Sequence, residues 1–328
     1  MIEVNRHTGT EESEPAVSIV ILNWNGYRDT IECIESLKKV NYGNYQILVV
    51  DNGSTDDSAK MIRSKFPDLT LVENEKNLGF AGGNNVGMQC ALKSGAKYVL
   101  LLNQDTVVDS NFLRELVNVG ESDSQVGAVQ SKILKRENPG LIDSLGQVWF
   151  PVRGPKDFEI GQPDQSPPAT VHEIFGACAA AVLLRREVLL KVGLFDELFF
   201  CLFEDVDLSW RIRLAKYRIV LAPKSIVYHK RRLSEGLGSK SRYYAKRNQL
   251  YLVTKYYSLG LILTFLPFFF FQLVQAIYYS YKTGHRITIL IRSVMRCFQE
   301  RKLIQANPLL RQIQREWMKR AFSFDQKG

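Results

Sequence analysis

Val17-Ser-Ile-Val-Ile-Leu22, closed by Asn23-Trp-Asn-Gly26, is a short β-branched run that stops at a turn signal. The same pairing recurs downstream. Tyr45-Gln-Ile-Leu-Val-Val50 runs into Asp51-Asn-Gly-Ser-Thr55, and Tyr98-Val-Leu-Leu-Leu102 runs into Asn103-Gln-Asp-Thr106. A weaker run, Thr70 to Val72, lies between them. Stretches of helical length separate these runs, roughly Arg28 to Lys39, Asp56 to Lys65 and Asn84 to Lys93. Nearly continuous apolar strands alternating with helices predict an α/β fold with a mostly parallel central sheet covered on both faces. Ligands bind such sheets beyond the C-terminal strand ends. Asn, Asp and Gly also occur in ordinary βα turns for conformational reasons, but three polar strand ends together favour a site.

Beyond the fourth run, residues 135 to 170 are rich in Pro, Gly and charge and read as loops with one hairpin around Gln147 to Val152. Phe175-Gly-Ala-Cys-Ala-Ala-Ala-Val-Leu-Leu184 is a small-residue stretch suited to close packing under a site. Arg185 to Val192 reads as a helix. A short strand, Arg218 to Leu221, precedes Ile226-Val-Tyr-His229. Between them, Phe199-Phe-Cys-Leu-Phe-Glu-Asp-Val-Asp-Leu-Ser-Trp-Arg-Ile-Arg213 places Glu204, Asp205 and Asp207 after an aromatic run, at the start of a helix. Acids in a first turn complement the helix dipole. A carboxylate at the edge of an aromatic pocket can also take a proton from a hydroxyl.

Composition narrows the class. The 328 residues are enough for a sizeable core. The five cysteines are scattered, with no Cys-x-x-Cys pair, which argues against a disulfide framework or zinc site and for a reducing compartment. The first fourteen residues are polar and acidic, without the apolar core of a secretory signal, so the expected location is the cytoplasmic face. The net charge of +9 is unevenly spread: from Arg231 to Gly328 there are 18 Lys/Arg against 4 Asp/Glu, and the preceding part is acidic. Such a tail needs an anionic partner or surface.

Asp105 closes a strand among polar neighbours and could hold a hard divalent cation, to which His229, ending another strand, could add an imidazole. Asp-Thr also caps helices, and a lone His is commonly structural. Asn77-Leu-Gly-Phe-Ala-Gly-Gly-Asn-Asn85 reads as a glycine-rich loop entering a helix, open to close approach by an anionic ligand. It lacks the spacing and position of a dinucleotide fingerprint, and the chain has no Gly-Lys-Ser/Thr loop and no Gly-x-Ser-x-Gly elbow.

Taken in order, Val17 to Gly26, Val-Val-Asp-Asn-Gly-Ser-Thr-Asp-Asp57, Asn77 to Asn85, Leu-Leu-Asn-Gln-Asp-Thr106 and Phe203-Glu-Asp-Val-Asp-Leu-Ser-Trp-Arg211 resemble the family 2 inverting glycosyltransferases of GT-A fold, especially the rhamnosyltransferase-like branch. The resemblance covers about Val17 to His229. It implies a nucleotide-sugar site built from Leu22, Asn23, Asn25, Asp51, Asn52, Gly79, Gly82, Asn85, Asn103 and Gln104, with Asp51 on the base. It places Asn103-Gln104-Asp105 at the family's Asp-x-Asp motif, with Asp105 and His229 holding Mg2+ or Mn2+. It makes Asp205 the general base and gives Glu204, Asp207 and Trp210 the acceptor pocket. Asn103 departs from the motif, since an amide brings no charge to the ion. The implied donor is a dTDP- or UDP-linked sugar, with L-rhamnose favoured by the branch, and the acceptor is a glycan or lipid-linked saccharide.

The implied organisation is a polar tail over 1–14, a catalytic domain over 15–230, a basic loop and helix over 231–255, and a membrane-association region over 256–328. Tyr256 to Tyr281 carries no charge, and its length suffices for a membrane span. Pro267, Gln272 and Gln275 interrupt it, and Ile287 to Ile304 mixes apolar residues with Arg292, Arg296 and Arg301. A monotopic or re-entrant anchor on an anionic bilayer is therefore expected, ahead of a single span. The charge has no nucleic-acid-binding motif beside it. Two other functions fit the same pattern less well: a sugar-phosphate nucleotidyltransferase, and a non-catalytic membrane-tethered scaffold with a degenerate transferase domain.

Overall fold

The computed structural model describes residues 14–150, 154–164, 170–231, 238–285 and 287–325. The polar tail up to residue 13, the far end of the expected 147–152 hairpin and part of the basic segment after His229 lie outside them. Strands β1 (Val17–Asn23), β2 (Tyr45–Asp51), β3 (Thr70–Glu73) and β4 (Tyr98–Asn103) are parallel neighbours in the order β3-β2-β1-β4. Helices α1 (Tyr27–Leu37), α2 (Ser58–Lys65) and α3 (Gly79–Lys93) make the connections. Helices cover both faces of such a sheet, which is why β1, β2 and β4 are nearly continuously apolar instead of apolar at every second position.

After β5 (Thr106–Val108) and α4 (Phe112–Glu121) the sheet becomes mixed. β6 (Val126–Lys135) is followed by β7 (Ile142–Ser144) and a hairpin of β8 (Gln147–Phe150) and β9 (Gly154–Asp157). Then come β10 (His172–Glu173), β11 (Ala181–Arg185), α5 (Arg186–Val192), α6 (Glu204–Leu214) and β12 (Arg218–His229). β11 lies antiparallel between β4 and β6, and β12 runs parallel to β6. Arg218–Leu221 and Ile226–His229, expected as separate pieces, form one strand with a register shift between Ala222 and Ile226, where Pro223 removes a ladder donor.

One sheet face packs Ile19, Ile21 and Leu100 against Cys33, Ile34, Phe112 and Leu116 of α1 and α4. The other packs Val20, Val99 and Leu101 against α3, α5 and α6 through Met88, Val188, Leu208 and Ile212. The glycine-rich loop expected to enter a helix near Asn84 is shorter than that: α3 already begins at Gly79, so Gly79 to Asn85 form its first turns. Its glycines let the helix lie directly on the strands. A Cβ on Gly87 would sit 2.3 Å from Val20 Cγ1, and one on Gly83 2.5 Å from Leu22 Cδ1.

Helix α6 has a second face. Val206 and Trp210 enter an aromatic cluster with Trp149, Phe175 and Phe199 and with the C-terminal helices α7 (Gly238–Tyr256), α8 (Leu259–Thr264), α9 (Leu266–Lys282), α10 (Ile287–Gln305) and α11 (Leu309–Asp325). The uncharged run Tyr256–Tyr281 is thus broken rather than continuous. Ser258 caps α8 by accepting from Leu261 N, and Pro267 starts α9, where its missing N–H costs nothing. Among the described residues no helix is long and apolar enough to cross a membrane, which corrects the single-span expectation. Phe269, Gln272, Ala276 and Ser280 form the buried stripe of α9, while Phe270, Phe271, Val274 and Tyr278 stay exposed.

Candidate active site

Register sets the strand ends side by side: Asn23 pairs with Asp51, and Leu22 with Asn103. The Asn23 amide donates to Asp51 Oδ1 at 2.6 Å and Ser54 Oγ at 3.2 Å, while its Oδ1 accepts from Thr30 at 2.7 Å. Asp51 Oδ2 accepts from Ser54 N at 3.0 Å. Asn25 Oδ1 accepts from Thr55 N at 2.8 Å. The Asn52 amide donates to Asn77 Oδ1 and Gly79 O and accepts from Asn74 and Leu78 N. Asn85 clamps Phe195 from both sides of its amide and reaches Glu197. Gln104 Oε1 accepts from Trp24 N at 2.8 Å. The amides of Asn23, Asn52, Asn85 and Gln104 are thus engaged by the protein itself, and they brace the strand-end turns from behind. Gly82 lies in α3 beside Leu78 and Glu197.

Asp105 and His229 do come together. His229 ends β12 opposite Thr106, and its Nε2 lies 3.2 Å from Asp105 Oδ1 and 3.2 Å from Asn103 Nδ2. Its Nδ1 lies 2.9 Å from Asp143 Oδ2. Burial favours the neutral ring, but the Asp105 and Asp143 carboxylates raise its pKa to about 9. One carboxylate oxygen and one imidazole nitrogen face each other, with a second carboxylate orienting the ring from behind. That donor chemistry fits a divalent ion shared with a diphosphate. No third His, Cys, Asp or Glu completes a cluster among the described residues, so most of the coordination would fall to the ligand and water.

Asp205, in the first turn of α6, is held by three donors. Gln147 Nε2 at 2.8 Å and Ala179 N at 3.1 Å reach Oδ2, and Val206 N at 2.8 Å reaches Oδ1. Burial nonetheless lifts its pKa to about 6, with the charge of Asp157 adding to the effect. Asp157 is 2.6 Å from Arg231 Nη2, and Arg231 Nε lies 2.5 Å from Asp143 Oδ1. A chain of ion pairs therefore runs from Asp157 through Arg231 and Asp143 to His229 and Asp105, and Asp157 is close enough to Asp205 for its charge to act on it.

The other acids of the motif differ in kind. Burial and the neighbouring Asp205 hold Glu204 well above the carboxylate range, and its Oε2 is buried without a hydrogen bond. Asp207 is buried too, but Lys255 at 2.7 Å and Arg211 at 2.9 Å outweigh that burial and hold it at about 2. It also accepts from Tyr256 Oη at 2.9 Å. Trp210 stacks on Tyr256 with ring centroids 4.9 Å apart and lies wholly inside the aromatic cluster. Trp210 is not an open pocket wall: it binds α6 to α7, which corrects the acceptor-pocket expectation for it. Asp207 also ties α6 to α7, and it lines a cleft with Asp196, Glu197, Arg296 and Glu300.

Asp143, Asp157 and Gln147 were not singled out from the sequence. They come from the Pro- and Gly-rich stretch, where no periodic pattern marks a residue as inward-facing. The signal available was the expected hairpin itself, since a hairpin beside the small-residue stretch must point some polar residues at it.

The profile of the family described as Glycosyltransferase like family 2 matches residues 15–248. The chain belongs to that family. The poly-β-1,6-N-acetyl-D-glucosamine synthase of Staphylococcus epidermidis is 23% identical over 216 residues, 65% of this chain and 49% of that one. The low-salt glycan biosynthesis hexosyltransferase Agl10 of Haloferax volcanii is 24% identical over 208 residues, 60% of this chain and 61% of that one. The chain therefore spans about half to three-fifths of the length of these two relatives. Among solved structures, GalNAc-T7 with UDP, GalNAc and Mn2+ superposes with a TM-score of 0.58 at 16% identity, covering 84% of this chain and 59% of that one. That likeness shows a shared GT-A-like fold: a mostly parallel mixed sheet, here followed by C-terminal helices.

Proposed function

We propose that the glycosyltransferase moves a sugar from a dTDP- or UDP-linked donor to a hydroxyl of a glycan or lipid-linked saccharide, with inversion at the anomeric carbon. The observation that carries this is the placement of Asp205. A carboxylate with a pKa of about 6 is oriented by Gln147 and Ala179 N and feels the charge of Asp157, from which ion pairs lead to His229 and Asp105. Asp205 takes the proton from the acceptor hydroxyl as its oxygen bonds to the anomeric carbon. The bond to the diphosphate breaks on the opposite face, and its electron pair leaves with the nucleoside diphosphate. Asp105 and His229 would hold Mg2+ or Mn2+, which when bound offsets the diphosphate charge. Asp51 and Asn103, at the strand ends on either side of β1, would face the nucleotide. Burial and the Asp205 charge push the Glu204 carboxyl well above the carboxylate range, which disfavours a second negative charge there.

For the sugar, the motif pattern favours L-rhamnose, and the relatives favour N-acetylglucosamine or another hexose. The purified protein is to be incubated with dTDP-rhamnose, UDP-N-acetylglucosamine and UDP-glucose, with Mg2+ and a lipid-diphosphate saccharide acceptor. Release of nucleoside diphosphate matched by a product of inverted configuration is expected from one of them. Pyrophosphate released from a nucleoside triphosphate and sugar phosphate would instead mark a nucleotidyltransferase.

We also propose that the enzyme works at the cytoplasmic face of a membrane. Leu263, Leu266, Phe270, Phe271 and Met295 are each more than half exposed on α8 to α10, and Leu259 and Leu261 line one cleft with Arg311, Arg315 and Lys319 of α11. Apolar side chains bordered by cations complement an anionic bilayer surface.

A further inference from the structure

The segment leading into α6 departs from ordinary backbone geometry. Phe200, Leu202 and Phe203 have φ of +61°, +72° and +72°, in the region that favours glycine. Phe203 is the residue immediately before Glu204, and its carbonyl accepts from Asp207 N at 3.0 Å as the first bond of the helix. The direction in which Asp205 projects is therefore set by these residues.

Their conformation is held from outside. Asn248, fully buried on α7, donates its amide to Phe199 O at 3.0 Å, Cys201 O at 2.8 Å and Leu202 O at 2.7 Å. Arg247 fixes which way that amide faces, because its Nε donates to Asn248 Oδ1 at 2.9 Å. The Arg247 Nη2 donates to Leu198 O at 2.9 Å and Phe199 O at 2.6 Å. On the opposite side, Ala81 N of α3 donates to Phe200 O at 3.0 Å. Gly79, with φ of +76°, leaves room for that approach, since a Cβ there would lie 2.4 Å from Phe200 O. The Phe200 ring stacks on Tyr244 of α7 with centroids 5.0 Å apart.

We propose that Asn248, oriented by Arg247, is a positioning residue for the transfer reaction: it holds Phe200, Leu202 and Phe203 in the positive-φ conformations that aim Asp205. The carbonyls it gathers would otherwise turn away as the loop relaxed to negative φ. The C-terminal helix α7 is then part of the catalytic apparatus, although it touches no reacting atom. This inference rests on Asp205 being the base.

The test is a double-mutant cycle of Asn248→Ala and Leu202→Gly, read by kcat, donor KM, circular dichroism and nucleotide binding. Asn248→Ala should fold and keep donor KM and nucleotide affinity within about twofold, while kcat falls by roughly 30- to 100-fold, the scale of a small misplacement. Leu202→Gly added to Asn248→Ala should restore kcat at least about threefold, because glycine holds a positive φ without the clamp. If Asn248→Ala does not fold, Asn248→Ser, which keeps one donor, replaces it in the same cycle. A folded Asn248 variant with kcat within twofold of wild type would overturn the proposal, and so would a loss that Leu202→Gly leaves untouched. Asp205→Asn is measured alongside. An inactive Asp205→Asn beside an unaffected Asn248→Ala removes the clamp alone; an active Asp205→Asn removes both readings.

Discussion

Glu204, Asp205 and Asp207 are equivalent letters in the sequence, and the structure gives each a different state. Burial acts on all three, so their partners decide. Asp207 meets two cations that hold it low, whereas Glu204 meets none on its buried oxygen among the described residues and is pushed up. Asp205 accepts three hydrogen bonds and is poised at about 6. None of this could be read locally, because Lys255 and Gln147 lie far from the motif in the chain. A consequence follows for rate. The base must be ionised to accept a proton, so kcat/KM should rise about tenfold per pH unit below 6 and level off above it. A profile flat from pH 5 to pH 8 would remove Asp205 as the titrating base.

At the level of elements, the four parallel strands and their helices were legible because each apolar run ends on its own polar turn. Helix α3 was legible only in its second half. Glycine reads as loop in a sequence, yet Gly83 and Gly87 serve close packing on Leu22 and Val20, a tertiary demand that overrides helix propensity. Gly87→Ala therefore tests the packing account. Its methyl would meet Val20 at 2.3 Å, so the variant should lose about 1–3 kcal/mol in denaturant unfolding despite the better helix former. Unchanged or increased stability would contradict the packing account. The run from Tyr256 to Tyr281 went the other way, since its composition allowed a span while Ser258 and Pro267 break it into separate helices.

Across the whole molecule, α6 is the hinge of the architecture. Leu208 and Ile212 press it on the sheet, and Val206 and Trp210 press it on the C-terminal helices. The family profile ends at residue 248, within α7, so the catalytic domain and its C-terminal neighbour share a core. The charge asymmetry seen in the composition thus sits on helices packed behind the motif helix. If those helices meet an anionic bilayer, the protein should co-sediment with vesicles containing phosphatidylglycerol and be released by salt, as screened charge requires. Phe270→Glu with Phe271→Glu should abolish that binding. Equal binding to neutral phosphatidylcholine vesicles at all salt concentrations would contradict the electrostatic part.

Asp205 is our proposed base for transfer from a nucleoside diphosphate sugar. Single-turnover transfer by Asp205→Asn tests it most directly, using the donor identified by product release and a saturating acceptor. The amide can keep the bond from Ala179 N but cannot take a proton. The account predicts a folded protein that binds nucleotide as wild type does, with transfer slowed by about 100-fold or more. Transfer at the wild-type rate would contradict it.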